Sequence, residues 1–152
     1  MTGVQTCALP IYAADYGDVE LSPDNARVAV SVRDQLNRDI WLFDVARGLR
    51  TRFTFDPAAE NASIWSPDGS RIVFSSTRKG PPNLYQKPST GAGAEEALLE
   101  DNSVKYPASW FPDGKSILYA LGPGNFDLWV LPLSGDKKPV PFLKTQFNKP
   151  AG

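Results

Sequence analysis

The chain has no histidine, and its 152 residues include one cysteine, Cys7, and one methionine, Met1. Without histidine these residues can form no Ser/His/Asp or Cys/His triad, no HExxH zinc site and no imidazole proton shuttle. An excess of charge is also missing. Sixteen Lys and Arg stand against seventeen Asp and Glu, a net charge of -1, which supplies no long-range attraction to nucleic acid or anionic lipid. No uninterrupted apolar run approaches the roughly 20 residues of a membrane-spanning helix. The expectation is therefore no nucleic-acid partner and no membrane segment in this chain. Turn formers are plentiful. Fourteen Pro and twelve Gly beside 11% aromatic residues favour many short strands joined by turns over long helices.

Residues 1–11, from Met1 to Ile11, read as the in-frame translation of a short-read sequencing adapter whose gtg serves as start codon. The adapter's next base is t, and Tyr12 is encoded only by codons that begin with t. The stretch has no Lys or Arg ahead of its short apolar part, unlike a secretory signal. These residues are therefore expected to be an artefact, which removes Cys7 and Met1 from fold reasoning and leaves no disulfide or reactive thiol to consider. Whatever preceded Tyr12 in the parent gene is expected to be lost.

The remaining chain repeats itself every 44 to 45 residues. The turn Ser22-Pro23-Asp24-Asn25 recurs as Ser66-Pro67-Asp68-Gly69 and as Phe111-Pro112-Asp113-Gly114. Pro presets φ at the second turn position, Asp suits the third, and Gly or Asn accepts the left-handed conformation that closes the loop. A strand-prone run follows each turn: Arg27 to Val32, Arg71 to Ser76 and Ser116 to Ala120. Another precedes it, clearest as Ala62 to Trp65 and Pro107 to Trp110. A third run carries an aromatic at Trp41, Tyr85 and Trp129, in steps of 44, after a polar residue (Asp39, Asn83, Asp127) that suits a loop tip. The fourth run is Arg52 to Phe55, Glu96 to Leu99 and Val140 to Leu143, where Pro139 and Pro141 fit only an outer edge.

Four short strands in each repeat of this length is the pattern of a β-propeller blade. A β-sandwich gives no reason for identical turns and aromatics to recur at a fixed period. The expected fold is all-β: three four-stranded blades of an incomplete, open propeller. The blades are placed at about 15–58, 59–102 and 103–147, with the start of a fourth at 148–152. A three-blade arc leaves two blade faces uncovered, so residues 12–152 alone are expected to be marginally stable or to depend on association.

The unit from Trp65 to Ser76, Trp-Ser-Pro-Asp-Gly-x-x-Ile-Val-Phe-x-Ser, resembles the WD40-like PD40 repeat of the TolB-like propeller family. The segments Asp39 to Asp44, Arg50 to Pro57, Asn83 to Lys87 and Asp127 to Leu133 are most similar to the propellers C-terminal to bacterial serine/threonine kinases of the acidobacterial type. Leu21 replaces the Trp of the other copies, Asn25 the Gly and Phe111 the Ser. The resemblance covers nearly all of 12–152. It implies a non-catalytic binding or sensor module on the extracytoplasmic, periplasmic side of a bacterial membrane, recognising a protein, peptide or cell-envelope ligand. Two other roles go with similar propellers: the substrate gate of a prolyl-oligopeptidase-like hydrolase, and a free periplasmic TolB-like protein. No kinase motif lies within these residues.

The candidate chemistry is sparse. Asp24, Asp68 and Asp113 recur in register, but turn geometry accounts for them without a metal. Gly91 to Glu95 lacks the strand and helix of a phosphate loop and reads as a turn. Trp41, Tyr85, Trp129, Trp65 and Trp110 read as packing between blades. Arg78-Lys79-Gly80 and Gly135 to Lys138 read as solvated loop charge. No catalytic, cofactor-binding or metal-binding residue, and no cofactor, is assigned. The loops joining second to third strands (Arg33 to Arg38, Thr77 to Pro82, Leu121 to Asn125) would share one face. That face is where a partner is expected, with Arg33, Arg38 and Arg78 as its charges.

Overall fold

A computed structural model describes residues 14–34, 37–124 and 126–144. The adapter-like residues 1–11 and the expected start of a fourth blade at 148–152 lie outside the described residues. Twelve strands make three separate four-stranded antiparallel sheets, an open arc of three propeller blades. Blade 1 holds β1 (Asp15–Leu21), β2 (Arg27–Asp34), β3 (Asn37–Asp44) and β4 (Arg50–Arg52) in that spatial order. Blade 2 repeats it with β5 (Glu60–Trp65), β6 (Arg71–Ser76), β7 (Asn83–Pro88) and β8 (Glu96–Leu99). Blade 3 does so with β9 (Lys105–Trp110), β10 (Ser116–Leu121), β11 (Asp127–Pro132) and β12 (Val140–Leu143).

The recurring turns act as local chemistry dictates. Asn25, Gly69 and Gly114 adopt φ of 58°, 69° and 71°, the left-handed region open to Gly and, at lower cost than to most residues, Asn. Their amides close the turns onto the carbonyls of Ser22, Ser66 and Phe111 at 2.8 to 2.9 Å. The ends of the arc can thus be named: a turn end, where these hairpins sit, and a loop end, where second strands cross to third strands.

Side chains alternate between the two faces of each sheet, and blade 2 packs a neighbour on both. From blade 1, Ala29, Ile40, Leu42 and Phe53 meet Trp65, Ile72, Phe74 and Tyr85 of blade 2 in one buried cluster. The opposite face of blade 2 supplies Ile64, Val73 and Leu84 to Ile117, Tyr119 and Leu131 of blade 3. Inner strands β5 and β9 form the middle of each seam, since each touches the central strands of the blade before it.

The fourth strand of blade 1 differs from expectation. It is Arg50–Arg52, paired with Phe43, Leu42 and Trp41, instead of Arg52 to Phe55. The chain bulges directly after it, with the amides of Phe53 and Thr54 both reaching the Ile40 carbonyl at 2.8 and 3.3 Å. Blades 2 and 3 bulge at the matching place, where register skips Leu98 and Phe142. The bulge re-aims one large side chain per blade at the next blade. Phe53 is buried by blade 2 and Leu98 packs against blade 3, while Phe142 is 64% exposed. Pro141 sits on edge strand β12, as an imino residue must.

Candidate functional site

The buried ionisable residues, Asp39, Glu60, Lys87 and Lys105, sit at the blade seams, not at one open centre. At the loop end, Asp15, Glu60 and Lys105 open the three inner strands at steps of 45 residues. Each has a different partner. Asp15 is exposed and pairs with Arg38 at 2.9 Å. Glu60 is fully buried between blades 1 and 2 and takes a hydrogen bond from Arg78. Arg78 also reaches Glu95 at 2.5 Å and Asp56 at 3.7 Å, while its guanidinium stacks on Tyr85 at 4.3 Å. Burial pushes the Glu60 carboxyl up to about 7; Glu95 adds to the rise, and the Thr54 hydroxyl and Arg78 oppose it.

The same seam holds Asp39, raised by burial against the pull of Arg52 at 2.8 Å, and Lys87, whose ammonium donates to the Phe53 carbonyl at 2.9 Å. In the seam between blades 2 and 3, the buried Lys105 ammonium donates to Asn83 Oδ1 at 2.9 Å, the Ser103 carbonyl at 2.9 Å and the Asp101 carboxylate. Asn83 Nδ2 in turn donates to the carbonyls of Pro81 and Asp101 at 3.0 Å.

Several expectations change accordingly. Arg78 is no solvated loop charge, because the Arg78 loop folds back over the face of blade 2 and buries its guanidinium among three carboxylates. Asp39 and Asn83 are not loop-tip residues but buried: Asp39 is the third residue of β3 and pairs with Arg52 of its own blade, while Asn83 opens β7 and accepts from the Lys105 ammonium of blade 3. Of the charges expected on the loop face, Arg33 alone is exposed, Arg38 being partly covered in its pair with Asp15. Lys138 and Asp136, by contrast, are solvated, 3.8 Å apart.

The register aspartates serve their turns. Asp24 and Asp68 each accept a serine hydroxyl at 2.6 Å and a backbone amide two residues on; Asp113 accepts the Lys115 amide at 3.0 Å. The Ser66 bond first, then those from Ser70, hold the Asp68 carboxyl at about 2. Gly91 and Gly93 take left-handed φ in the turn from β7 to β8. Tyr85 stacks on Phe74 inside the first seam, and Trp129 packs beside Tyr119 in the second. Burial raises the Tyr119 phenol to about 12.

The inner strands carry one bulge each, and the bulges meet on the channel side. Register skips between Tyr16 and Val19, between Asn61 and Ile64, and between Pro107 and Ser109. The Ala62 amide there donates to the Asp18 carboxylate at 3.1 Å. Asp18, Asn61, Ala62, Tyr106, Ala120 and Phe126 line a shallow hollow beside this contact.

The family profile of the TolB beta propeller domain, PD40, matches residues 16–141. Among curated relatives, an uncharacterized peptidase, YuxL, of Bacillus subtilis is 30% identical over 116 residues, 71% of this chain and 17% of its own length. The Tol-Pal system protein TolB of Helicobacter pylori is 27% identical over 84 residues, 55% of this chain and 20% of its own. The chain thus spans about a fifth or less of these relatives. Among solved structures, a TolB-type protein of Agrobacterium tumefaciens superposes with TM-score 0.73 at 20% identity, covering 87% of this chain and 50% of that one. A puromycin hydrolase does so with TM-score 0.68 at 19% identity, covering 84% and 22%.

Proposed function

Since the chain belongs to the TolB β-propeller (PD40) family, we propose that its blades are a non-catalytic binding or sensor module for a protein, peptide or cell-envelope ligand. The observation that carries this is the use of the ionisable residues. Glu60, Asp39, Lys87 and Lys105 are buried, with perturbation by burial in the two acids, yet all are taken up by structural contacts: Glu60 with Arg78 and Asp39 with Arg52 inside their own blades, Lys87 with the Phe53 carbonyl and Lys105 with Asn83 across the seams. Functional sites tend to gather perturbed groups in a cleft; these are enclosed in the packing of the blades. The loop end, with exposed Arg33, Lys79 and Phe126, is the face offered to a partner. Likeness to a Tol-Pal system protein supports an extracytoplasmic setting. The segments quoted above support a parent in which a serine/threonine kinase adjoins the propeller.

A substrate-gating role is the second reading. It is favoured by the 30% identity to a peptidase over most of this chain.

Two experiments test these readings. Incubating the purified chain with aminoacyl and prolyl p-nitroanilides is expected to release no nitroaniline above the blank; turnover that co-purifies with the chain overturns the non-catalytic reading. Sequencing the source DNA on both sides then separates the settings. Kinase motifs and an apolar span of about 20 residues upstream support the sensor, and a GxSxG-containing domain downstream replaces it with the gate.

A further inference from the structure

At the turn end, between blades 2 and 3, Arg71 and Trp110 line a cleft of about 560 Å³ together with Gln86, Leu98, Leu133 and Lys137. One repeat earlier the same two positions are Arg27 and Trp65. In that first seam both donors are satisfied. Arg27 Nη1 donates to the Ser89 carbonyl at 2.7 Å and Nη2 to Ser89 Oγ at 3.3 Å, with the guanidinium 4.8 Å from the Trp65 ring centroid. Trp65 Nε1 donates to the Glu20 carbonyl at 3.2 Å.

In the second seam the acceptors are missing. Among the described residues, Arg71 Nη1 and Trp110 Nε1 are both buried without a hydrogen-bond acceptor. Arg71 Nη1 makes only a long ion pair with the Glu96 carboxylate at 3.5 Å, and that carboxylate already accepts from Gln86 Nε2 at 3.0 Å. The cause is legible in the repeat. Ser89 follows Pro88 and donates its amide to the Ser70 carbonyl; the residue in the same place after Pro132 is Leu133, whose amide meets the Lys115 carbonyl. Leucine brings no hydroxyl, and its side chain lines the cleft instead.

We propose that this cleft binds an extended peptide, receiving one backbone carbonyl on the open side of the Arg71 guanidinium, whose side chain is 40% exposed, and laying the adjoining side chain over Leu98, Leu133 and Trp110. Arg71 holds only the long pair with Glu96, and a ligand carbonyl supplies the acceptor that the Ser89 carbonyl gives Arg27. A neutral carbonyl fits better than a free anion. Arg71 and Lys137 are balanced by Asp68 and Asp113 on the same walls, and a peptide carbonyl is what the matching Arg27 already holds. The volume lies in the range of small-ligand sites. The cleft shares with the binding-module reading only its non-catalytic premise, and it lies at the opposite end from the loops.

The test is an NMR titration of the full chain, following indole Nε1–H resonances assigned with Trp→Phe variants. The probe is the capped neutral peptide N-acetyl-Ala-Ser-Ala-amide at millimolar concentration, with sodium acetate as the comparison. The peptide is expected to move the Trp110 resonance saturably and leave that of Trp65 in place. Arg71→Met is expected to weaken binding about tenfold, the loss of one hydrogen bond to a charged donor. Leu133→Ser, which restores the residue of the first seam, is expected to weaken it as well by supplying an internal acceptor. A Trp110 resonance that stays still, or that moves equally in both variants, overturns the proposal. So does movement with acetate alone, which would make the site one for anions. Failure here leaves the p-nitroanilide result untouched, so the two readings fall separately.

Discussion

Lys105 of blade 3 donates its ammonium to Asn83 Oδ1 of blade 2 at 2.9 Å, and each residue is only 1% exposed. The pair closes the loop end of a seam whose middle is apolar. Lys105→Met keeps the stem and removes the donor, leaving Asn83 Oδ1 with the Asp101 amide alone and the Ser103 carbonyl without this donor; a loss of about 2 kcal/mol is expected. Asn83→Ala takes one of three acceptors from the buried ammonium and leaves the Pro81 and Asp101 carbonyls without their donor, and the expected loss is larger, about 3 kcal/mol. Urea unfolding of both variants and the double variant checks this. The double variant is expected to lose clearly less than the sum, and strict additivity would mean that the two side chains are not coupled.

Much of the fold was legible in the chain, for a local reason. Ser-Pro-Asp-Gly turns, alternating strands and the periodic Trp41, Tyr85 and Trp129 each announce themselves within a few residues, and their recurrence fixes the blades. The seams were not legible. Asp15, Glu60 and Lys105 hold one structural position, but the residue changes from exposed acid to buried acid to buried base, so a search for repeated identity passes over them. Arg78 looked like loop charge because a basic residue beside Gly80 and two prolines is usually solvated. Only the tertiary fold brings Glu60 and Glu95 of its own blade, and Asp56 from the end of blade 1, around it. The same holds for Phe53, which a strand pattern assigns to a ladder but a bulge turns into the core.

Glu60 should make stability depend on pH near neutrality. Its folded value of about 7 lies above the ordinary 4.5 because burial disfavours the charge. Between these values the folded chain binds more protons than the unfolded one, so stability falls as pH rises. The contribution of this group is fully present below pH 4.5 and is lost as pH climbs through 7, a change of about 3 kcal/mol. Asp68 has the opposite sign, but its window lies between about 2 and 3.8 and does not overlap. Denaturation midpoints of Glu60→Gln and the parent chain, taken from pH 5 to pH 8, are expected to converge or cross as pH rises. A constant gap would show that Glu60 does not change charge in this range.

The three turns form an internal series for positive φ. At Gly114 nothing lies within 4 Å of an added Cβ, so substitution there reads backbone strain alone. Gly114→Ala is expected to cost about 1 kcal/mol, and Gly114→Asn about half as much, since Asn already occupies the matching place at Asn25 with φ of 58°. Asn25→Gly is expected to be neutral or stabilising by a few tenths of a kcal/mol. Thermal unfolding of the three variants gives the order directly. Equal losses for Ala and Asn at residue 114 would remove the left-handed preference as the explanation of the repeat.

Phe53 and Phe142 occupy the same bulge in blades 1 and 3, and their surroundings differ by one whole blade. Phe53 is 1% exposed and sits edge-on to Phe74 at a centroid distance of 6.4 Å; Phe142 is 64% exposed. Phe53→Ala removes a filled position from the first seam and is expected to cost about 3 to 4 kcal/mol. Phe142→Ala removes a side chain that the isolated chain leaves in water, and its expected cost is within about 0.5 kcal/mol. Parallel urea titrations at two protein concentrations check the pair. A large loss for Phe142→Ala that appears only at the higher concentration would mean that copies of the chain cover this face for one another. A large loss at both concentrations would mean that the β12 edge folds over its own blade.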